Sequence, residues 1–286
     1  MKSYTFAAAM AAALSLFLTA APVAAQDTAP PRPVTVTGSV ALVSDYRFRG
    51  VSQSDEEMAI QGGLTIAHES GLYVGTWASN LAGWGTFGGA NMELDLIGGF
   101  KTPVGNGGTL DIGLTWYMYP GGASKTDFAE PYVKLSGTLG PATLLAGVAY
   151  APKQQALGNW YATGAAAHSG VYPRPGDKQD NLYLWGDAAA GIPSTPLTAK
   201  AHIGYSKGNP GLGPNGTSVA PTGKYWDWML GADLAVKGTP LTLGVAYVDT
   251  DIGRRESAYL LPNFSSTKDG GPIAGPQVVF SVTAAF

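Results

Sequence analysis

The stretch Tyr225-Trp226-Asp227-Trp228-Met229-Leu230-Gly231-Ala232-Asp233-Leu234-Ala235-Val236 decides the fold. Trp226, Trp228, Leu230, Ala232, Leu234 and Val236 form one alternate set, apolar throughout. Asp227, Met229, Gly231 and Asp233 fall between them. In a β-strand successive side chains point to opposite faces, so this period of two sends the carboxylates one way and the tryptophans the other. Residues 109–119 repeat the pattern, with Leu110, Ile112, Leu114, Trp116 and Met118 opposite Asp111, Gly113, Thr115 and Tyr117. Residues 241–249 do so again. Twelve such segments run along the chain, at 34–49, 58–68, 72–79, 92–101, 109–119, 129–138, 142–150, 180–190, 197–205, 225–236, 241–249 and 277–286. Most have the length of ~9–11 residues that a tilted transmembrane strand needs. Alternation is weak in 72–79 and 180–190, which leaves their facing open.

The connections add a second pattern. Those at 50–57, 80–91, 120–128, 151–179, 206–224 and 250–276 are long, and those between them are mostly short. The short ones hold turn chemistry, as in Glu69-Ser70-Gly71, Gly140-Pro141 and Lys237-Gly238-Thr239-Pro240. Transmembrane β-barrels have short turns at the periplasmic rim and longer loops outside. A soluble sandwich has no reason to sort its loops by length. The expected fold is therefore all-β, a transmembrane antiparallel up-and-down barrel of about twelve strands, with both mature termini on the periplasmic side.

Composition agrees. Charged residues make up 13% of the chain, about half the usual share of a soluble domain. The absence of cysteine excludes a disulfide scaffold and a thiol nucleophile. A net charge of −3 argues against a nucleic-acid partner. Lys2, the apolar run from Ala7 to Ala20 and the small residues up to Ala25 read as a cleavable signal peptide, 1–25. The Pro-rich segment 26–33 reads as a leader and 34–286 as the barrel.

Charge then sets the facing. Arg or Lys on the lipid face costs roughly 2–4 kcal/mol at mid-depth, so the uncharged faces point outward. The lumen receives Asp45, Arg47, Arg49, Glu93, Asp95, Lys101, Asp111, Glu130, Lys134, Lys200, His202, Asp227 and Asp233. Of these, Asp45, Arg47, Arg49, Glu93, Asp95, Asp111, Glu130, Lys134, His202 and Asp227 are the candidate pore-lining residues. Asp45, Arg47 and Arg49 are expected on the inner face of the first strand. There they would pair with Glu93, Asp95 and Glu130 or form a charged ring tuning permeation. Trp116, Tyr150, Trp226, Tyr247 and Phe286 face outward near strand ends, where interfacial aromatics belong.

Several stretches resemble the TorF-type porin family of bacterial outer membranes. They are Val43–Ser54 (Val-Ser-Asp-Tyr-Arg-Phe-Arg-Gly-Val-Ser-Gln-Ser), Ser70–Asn80, Glu93-Leu94-Asp95-Leu96, Ala129–Val133, Tyr225–Trp228 and Tyr247–Asp251. The first is the most specific, and the resemblance runs along most of the chain. It implies an outer-membrane barrel and a pore, and it brings no substrate and no catalytic residues.

Other chemistry fares less well. An outer-membrane hydrolase needs its histidine on the outer face at the loop-side rim. His202 points into the lumen and His68 falls at a short turn on the other rim, while His168 in the 151–179 loop has Ser169 beside it, a neighbour in sequence that carries no geometric information. Asp249 and Asp251 could ligate a hard cation, but Arg254 and Arg255 follow closely and a loop ion-pair cluster is the simpler reading. Gly208–Pro214 is Gly-rich without a following helix, so it is no phosphate cradle. Asn215-Gly216-Thr217 is a plain loop. The expected protein is a passive channel for small hydrophilic solutes, with no catalytic residue, no metal and no cofactor. Its partners would be outer-membrane lipid and the barrel-assembly machinery, engaged through the last strand ending at Phe286. The alternative is a closed, plugged barrel whose long external loops bind a partner or surface.

Overall fold

The computed structural model describes residues 33–158, 161, 163–171, 176–208 and 219–286. The signal-peptide segment 1–25, most of the leader and the Asn215-Gly216-Thr217 triplet lie outside the described residues. Twelve strands form the wall: β1 (Val34–Val43), β4 (Ala59–His68), β5 (Leu72–Asn80), β6 (Met92–Val104), β7 (Gly108–Met118), β8 (Phe128–Leu139), β9 (Ala142–Gln154), β10 (Gln179–Gly191), β11 (Leu197–Gly208), β12 (Lys224–Ala235), β13 (Leu241–Thr250) and β14 (Gln277–Ala285). Each pairs antiparallel with its neighbours in sequence order, and β1 pairs with β14 to close the barrel. Closure satisfies every strand's backbone within the sheet, which a lipid-facing wall requires. The connections 69–71, 105–107, 140–141, 192–196 and 236–240 gather at one end, and the long loops at the other.

The period of two sorts the residues as expected. Leu230 (63% exposed), Phe280 (60%) and their neighbours present an apolar outer face, and Trp116, Tyr150, Trp226, Tyr247 and Phe286 are all exposed there. Phe286 also completes the seam. Its N–H donates to the Gly38 carbonyl at 2.9 Å, and the Gly38 N–H donates back at 2.8 Å. The Phe286 ring lies where a Cβ on Gly38 would stand, 2.7 Å away.

The two strands of uncertain facing resolve. β5 sends Tyr73, Trp77 and Ser79 inward, and β10 sends Asn181, Tyr183, Trp185 and Asp187 inward. Inward aromatics do not all fill the lumen. Tyr132 lies against Gly113 and Tyr73 against Gly99, at sites where a Cβ would come within 2.5 Å of each ring's hydroxyl. These rings lean on the wall, and their hydroxyls meet each other.

The first strand is shorter than its alternation suggested. It ends at Val43, and the chain then folds into the barrel. Arg47–Phe48 (β2) pairs with Val51–Ser52 (β3) in a two-stranded sheet separate from the wall. Asp45, Arg47 and Arg49 therefore belong to an inward hairpin and not to the inner face of β1. The two-residue turn explains the departure. Arg49 and Gly50 both have positive φ, 48° and 79°, the conformation that a tight hairpin of primed type demands and that glycine favours.

Candidate functional site

The hairpin crosses the lumen near the long-loop end. At its base, Ser44 N–H donates to the Phe280 carbonyl on β14, and Ala82 N–H donates to the Gln53 carbonyl. Asp45 organises the base, accepting from Ser52 Oγ at 2.6 Å, Ser54 Oγ at 3.1 Å and Arg47 Nε at 2.5 Å. Arg47 Nη2 also reaches Glu56 at 3.1 Å, and its Nη1 donates to the carbonyls of Ile273 and Gly275 in the last loop.

The tip is held by the far wall. Arg49 Nη2 donates to both Glu130 oxygens on β8, at 2.8 and 2.7 Å. The guanidinium carbon stands 4.0 Å from the centre of the Tyr183 ring and 4.9 Å from that of Phe48. With the Asn181 amide turned so that its oxygen faces the guanidinium, it accepts from Nη1 at 2.8 Å. Burial works against the Arg49 charge, but Glu130 outweighs it and holds the guanidinium firmly protonated. Gly50 fits tightly: a Cβ there would lie 2.3 Å from Thr250 Cγ2. Any larger residue would lift the tip from the wall.

The expected charge network is therefore only partly formed. Arg49 meets Glu130, while Glu93 accepts instead from the Tyr46 hydroxyl, at 3.1 Å to each oxygen. Asp95 is fully buried, and neither carboxylate oxygen has a hydrogen-bond partner among the described residues. Glu93 and Asp95 sit on the wall strand β6, and the arginine heads are turned to Asp45, Glu56 and Glu130, which leaves both acids without an arginine.

Below the hairpin lies a cavity of about 340 Å³, reaching down to Thr109, Ser136 and Thr143 at the short-connection end. Its charges are paired. Asp111 faces Lys134 at 3.2 Å and Lys101 at 3.8 Å, and Lys200 faces Asp233 at 2.7 Å. His202 lies between Asp187 (Nδ1 to Oδ1, 2.6 Å) and Asp227 (Nε2 to Oδ1, 3.0 Å), with the Tyr183 hydroxyl also bonded to Asp227. Asp187 and Trp185 were not legible as lumenal, because Gly186 and the run Ala188-Ala189-Ala190 blur the alternation of β10. The other histidines stay outside the lumen: His68 bonds Ser70 at an exposed turn, and His168 is exposed on the helix Gly164–Ser169.

Loops cover the mouth. Val51, Tyr161, Tyr225, Ile252, Leu260, Phe264 and Ile273 form a buried apolar cluster above the hairpin. The last loop straps the hairpin base. Thr267 donates to Asp55 through both its N–H and its hydroxyl, and Lys268 pairs with Glu57. The Lys268 ammonium holds the Glu57 carboxyl below the usual carboxylate range. The expected ion pairs of Asp249 and Asp251 with Arg254 and Arg255 do not form among the described residues. Asp251 accepts from Trp226 N–H at 2.6 Å, Asp249 bonds Tyr247 and Thr250, and both arginines are exposed at the start of the helix Arg254–Tyr259.

Among solved structures, a NanC porin is similar over 88% of this chain and 99% of its own, with a TM-score of 0.52 and 11% identity. The COG4313 outer membrane channel of Pseudomonas putida F1 aligns over 90% of this chain and 97% of its own, with a TM-score of 0.41 and 10% identity. The first likeness shows a porin-like barrel fold. No curated protein matches the chain in sequence. A family model described as a bacterial protein of unknown function matches residues 27–286. With nearly the whole barrel matched, the chain belongs to this family, Gcw_chp.

Proposed function

We propose that the protein is an outer-membrane channel for small hydrophilic solutes, gated by the hairpin that follows β1. One observation carries the reading: the lumen below the hairpin is a cavity that charged side chains such as Asp111, Lys134, Lys200 and Asp227 reach into, while the hairpin above it is a sheet of its own. The hairpin can leave the lumen without breaking a hydrogen bond between wall strands. In this reading the wall residues Asp111, Glu130, Lys134, His202 and Asp227 line the passage, Glu93 and Asp95, covered in this state, join them once the hairpin leaves, and Asp45, Arg47 and Arg49 form the gate. The apolar outer face supports a lipid environment, and the TorF-type likeness of Val43–Ser54, the hairpin itself, supports a pore. The short connections are then periplasmic, the long loops external and both mature termini periplasmic, with 1–25 removed on export. The last strand, ending at Phe286, is the handle for barrel assembly. Transport is passive, and the polar clusters serve permeation and not catalysis.

The apolar cluster over the mouth favours a second reading, a plugged barrel whose loops bind a partner. Liposome swelling separates the two. Proteoliposomes placed in solutes of increasing size should swell with a sharp size limit if the channel reading holds. No swelling with any solute from correctly folded protein refutes it in favour of the plug.

A further inference from the structure

The charged side chains below the hairpin fall into two unequal groups. In one, Asp111 stands between two lysines, with its Oδ2 3.2 Å from Lys134 Nζ and 3.8 Å from Lys101 Nζ. Its Oδ1 accepts from the Tyr73 hydroxyl at 2.6 Å. Two ammonium groups thus share one carboxylate. In the other, Asp187 and Asp227 share His202, which meets Asp187 through Nδ1 at 2.6 Å and Asp227 through Nε2 at 3.0 Å. Even with both ring nitrogens protonated, this group keeps one negative charge. Lys200 and Asp233 pair with each other and cancel. The first group therefore carries a surplus cation and the second a surplus anion, and Lys134 and Asp187 both line the cavity.

The two surplus charges flank a single strand. Lys134 on β8 is opposite Gly147 of β9, and Asp187 on β10 is opposite Leu145 of β9. They are close enough for the Asp187 carboxylate to act on the Lys134 ammonium. Both have hydrogen-bonding capacity left. An ammonium has three donors, and that of Lys134 faces Asp111 and otherwise stands 3.9 Å from the centre of the Tyr132 ring. His202 bonds Oδ1 of Asp187, which leaves Oδ2 as an acceptor. Between the two poles the cavity wall is carbon, with Leu144 and Leu145 lining it. A solute of one charge would answer one pole and add net charge to a largely apolar cavity, which is costly. A zwitterion answers both poles and adds none. The volume of about 340 Å³ lies at the lower end of the range for small-molecule sites, which suits an amino acid with a short apolar side chain.

We propose that Lys134 and Asp187 form a lumenal subsite for a small zwitterion, an α-amino acid whose carboxylate meets Lys134 and whose ammonium meets Asp187. This deepens the channel reading and rests on the lumen being the solute's route. The test is saturation-transfer NMR on the full chain, folded in detergent, titrated with L-alanine. N-acetyl-L-alanine lacks the ammonium, L-alaninamide lacks the carboxylate and lactamide lacks both. Alanine should bind, and each control should bind at least tenfold more weakly. Lys134→Gln and Asp187→Asn should each weaken alanine tenfold or more, in variants that keep heat-modifiable gel mobility. Lys134→Gln should leave the weak binding of alaninamide unchanged, and Asp187→Asn that of N-acetylalanine, an outcome that general damage to the cavity would not give. Where a variant does not fold, the four solutes on the parent decide. Absence of alanine binding, controls that bind as well as alanine, or folded variants that bind alanine as the parent does overturn the proposal. Bilayer conductance separates the two readings: conduction without alanine binding removes the subsite alone, and binding without conduction removes the channel and leaves the subsite.

Discussion

Glu130→Gln is the sharpest perturbation of the proposed gate. Glu130 gives both carboxylate oxygens to Arg49 Nη2, at 2.8 and 2.7 Å, and the pair is almost wholly buried. Glutamine keeps the shape and one acceptor but removes the counter-charge. Removing one partner of a buried ion pair costs about 3–5 kcal/mol, because the other charge is left stranded. In the proposed gate Arg49 escapes that penalty by swinging out with the hairpin, so the cost would fall on the inserted state alone. At about 1.4 kcal/mol per tenfold, the inserted-to-released ratio should drop by roughly two to three and a half orders of magnitude. The contacts to Tyr183 and Asn181 remain, and they place the expected shift at the lower end. Single-channel recording in planar bilayers reads this directly, as longer dwell in the larger conductance state. Arg49→Ala should act in the same direction, and Arg49→Ala with Glu130→Ala should open the channel no further than either alone. An open fraction unchanged in the folded Glu130→Gln and Arg49→Ala variants would refute the latch.

Three further outcomes follow from other contacts. Glu57→Ala with Lys268→Ala removes the strap's ion pair, so single-channel records of the double variant should visit the larger conductance state more often than the parent. Asp95→Leu removes a buried carboxylate without a hydrogen-bond partner, so the variant should resist thermal unfolding better than the parent, by about 1–3 kcal/mol, as followed by heat-modifiable mobility. Deleting Phe286 removes both seam hydrogen bonds to Gly38 and the ring upon it, so the barrel should accumulate at reduced level in membrane fractions, measured by immunoblot.

The wall was legible in the sequence because lipid on one side and polar groups on the other impose a strict period of two. β12, β7 and β14 show it without interruption. The hairpin was hidden by the same rule. Asp45-Tyr46-Arg47-Phe48-Arg49 continues the alternation of β1 without a break, and charge on alternate residues suits an inward hairpin as well as an inward strand face. The signal that could have separated them is Arg49-Gly50 followed by Val51 and Ser52, a two-residue turn between matched short strands. The polar partners of the lumen were harder still. Parity places Glu93, Asp95 and Glu130 on the inner face, but which acid meets which arginine depends on where the tip lands, and only the folded chain fixes that. Trp185 was obscured by its small neighbours on β10.

In the proposed channel the hairpin both occupies and controls the lumen. The most direct measurement compares single-channel conductance of the parent with a variant in which Asp45–Ser54 is replaced by a short Gly-Ser linker, both folded and in the same bilayer. The parent should show small or brief current steps, and the variant steady steps of clearly larger size. Equal conductance in the two, or no conductance from either, would contradict the gate.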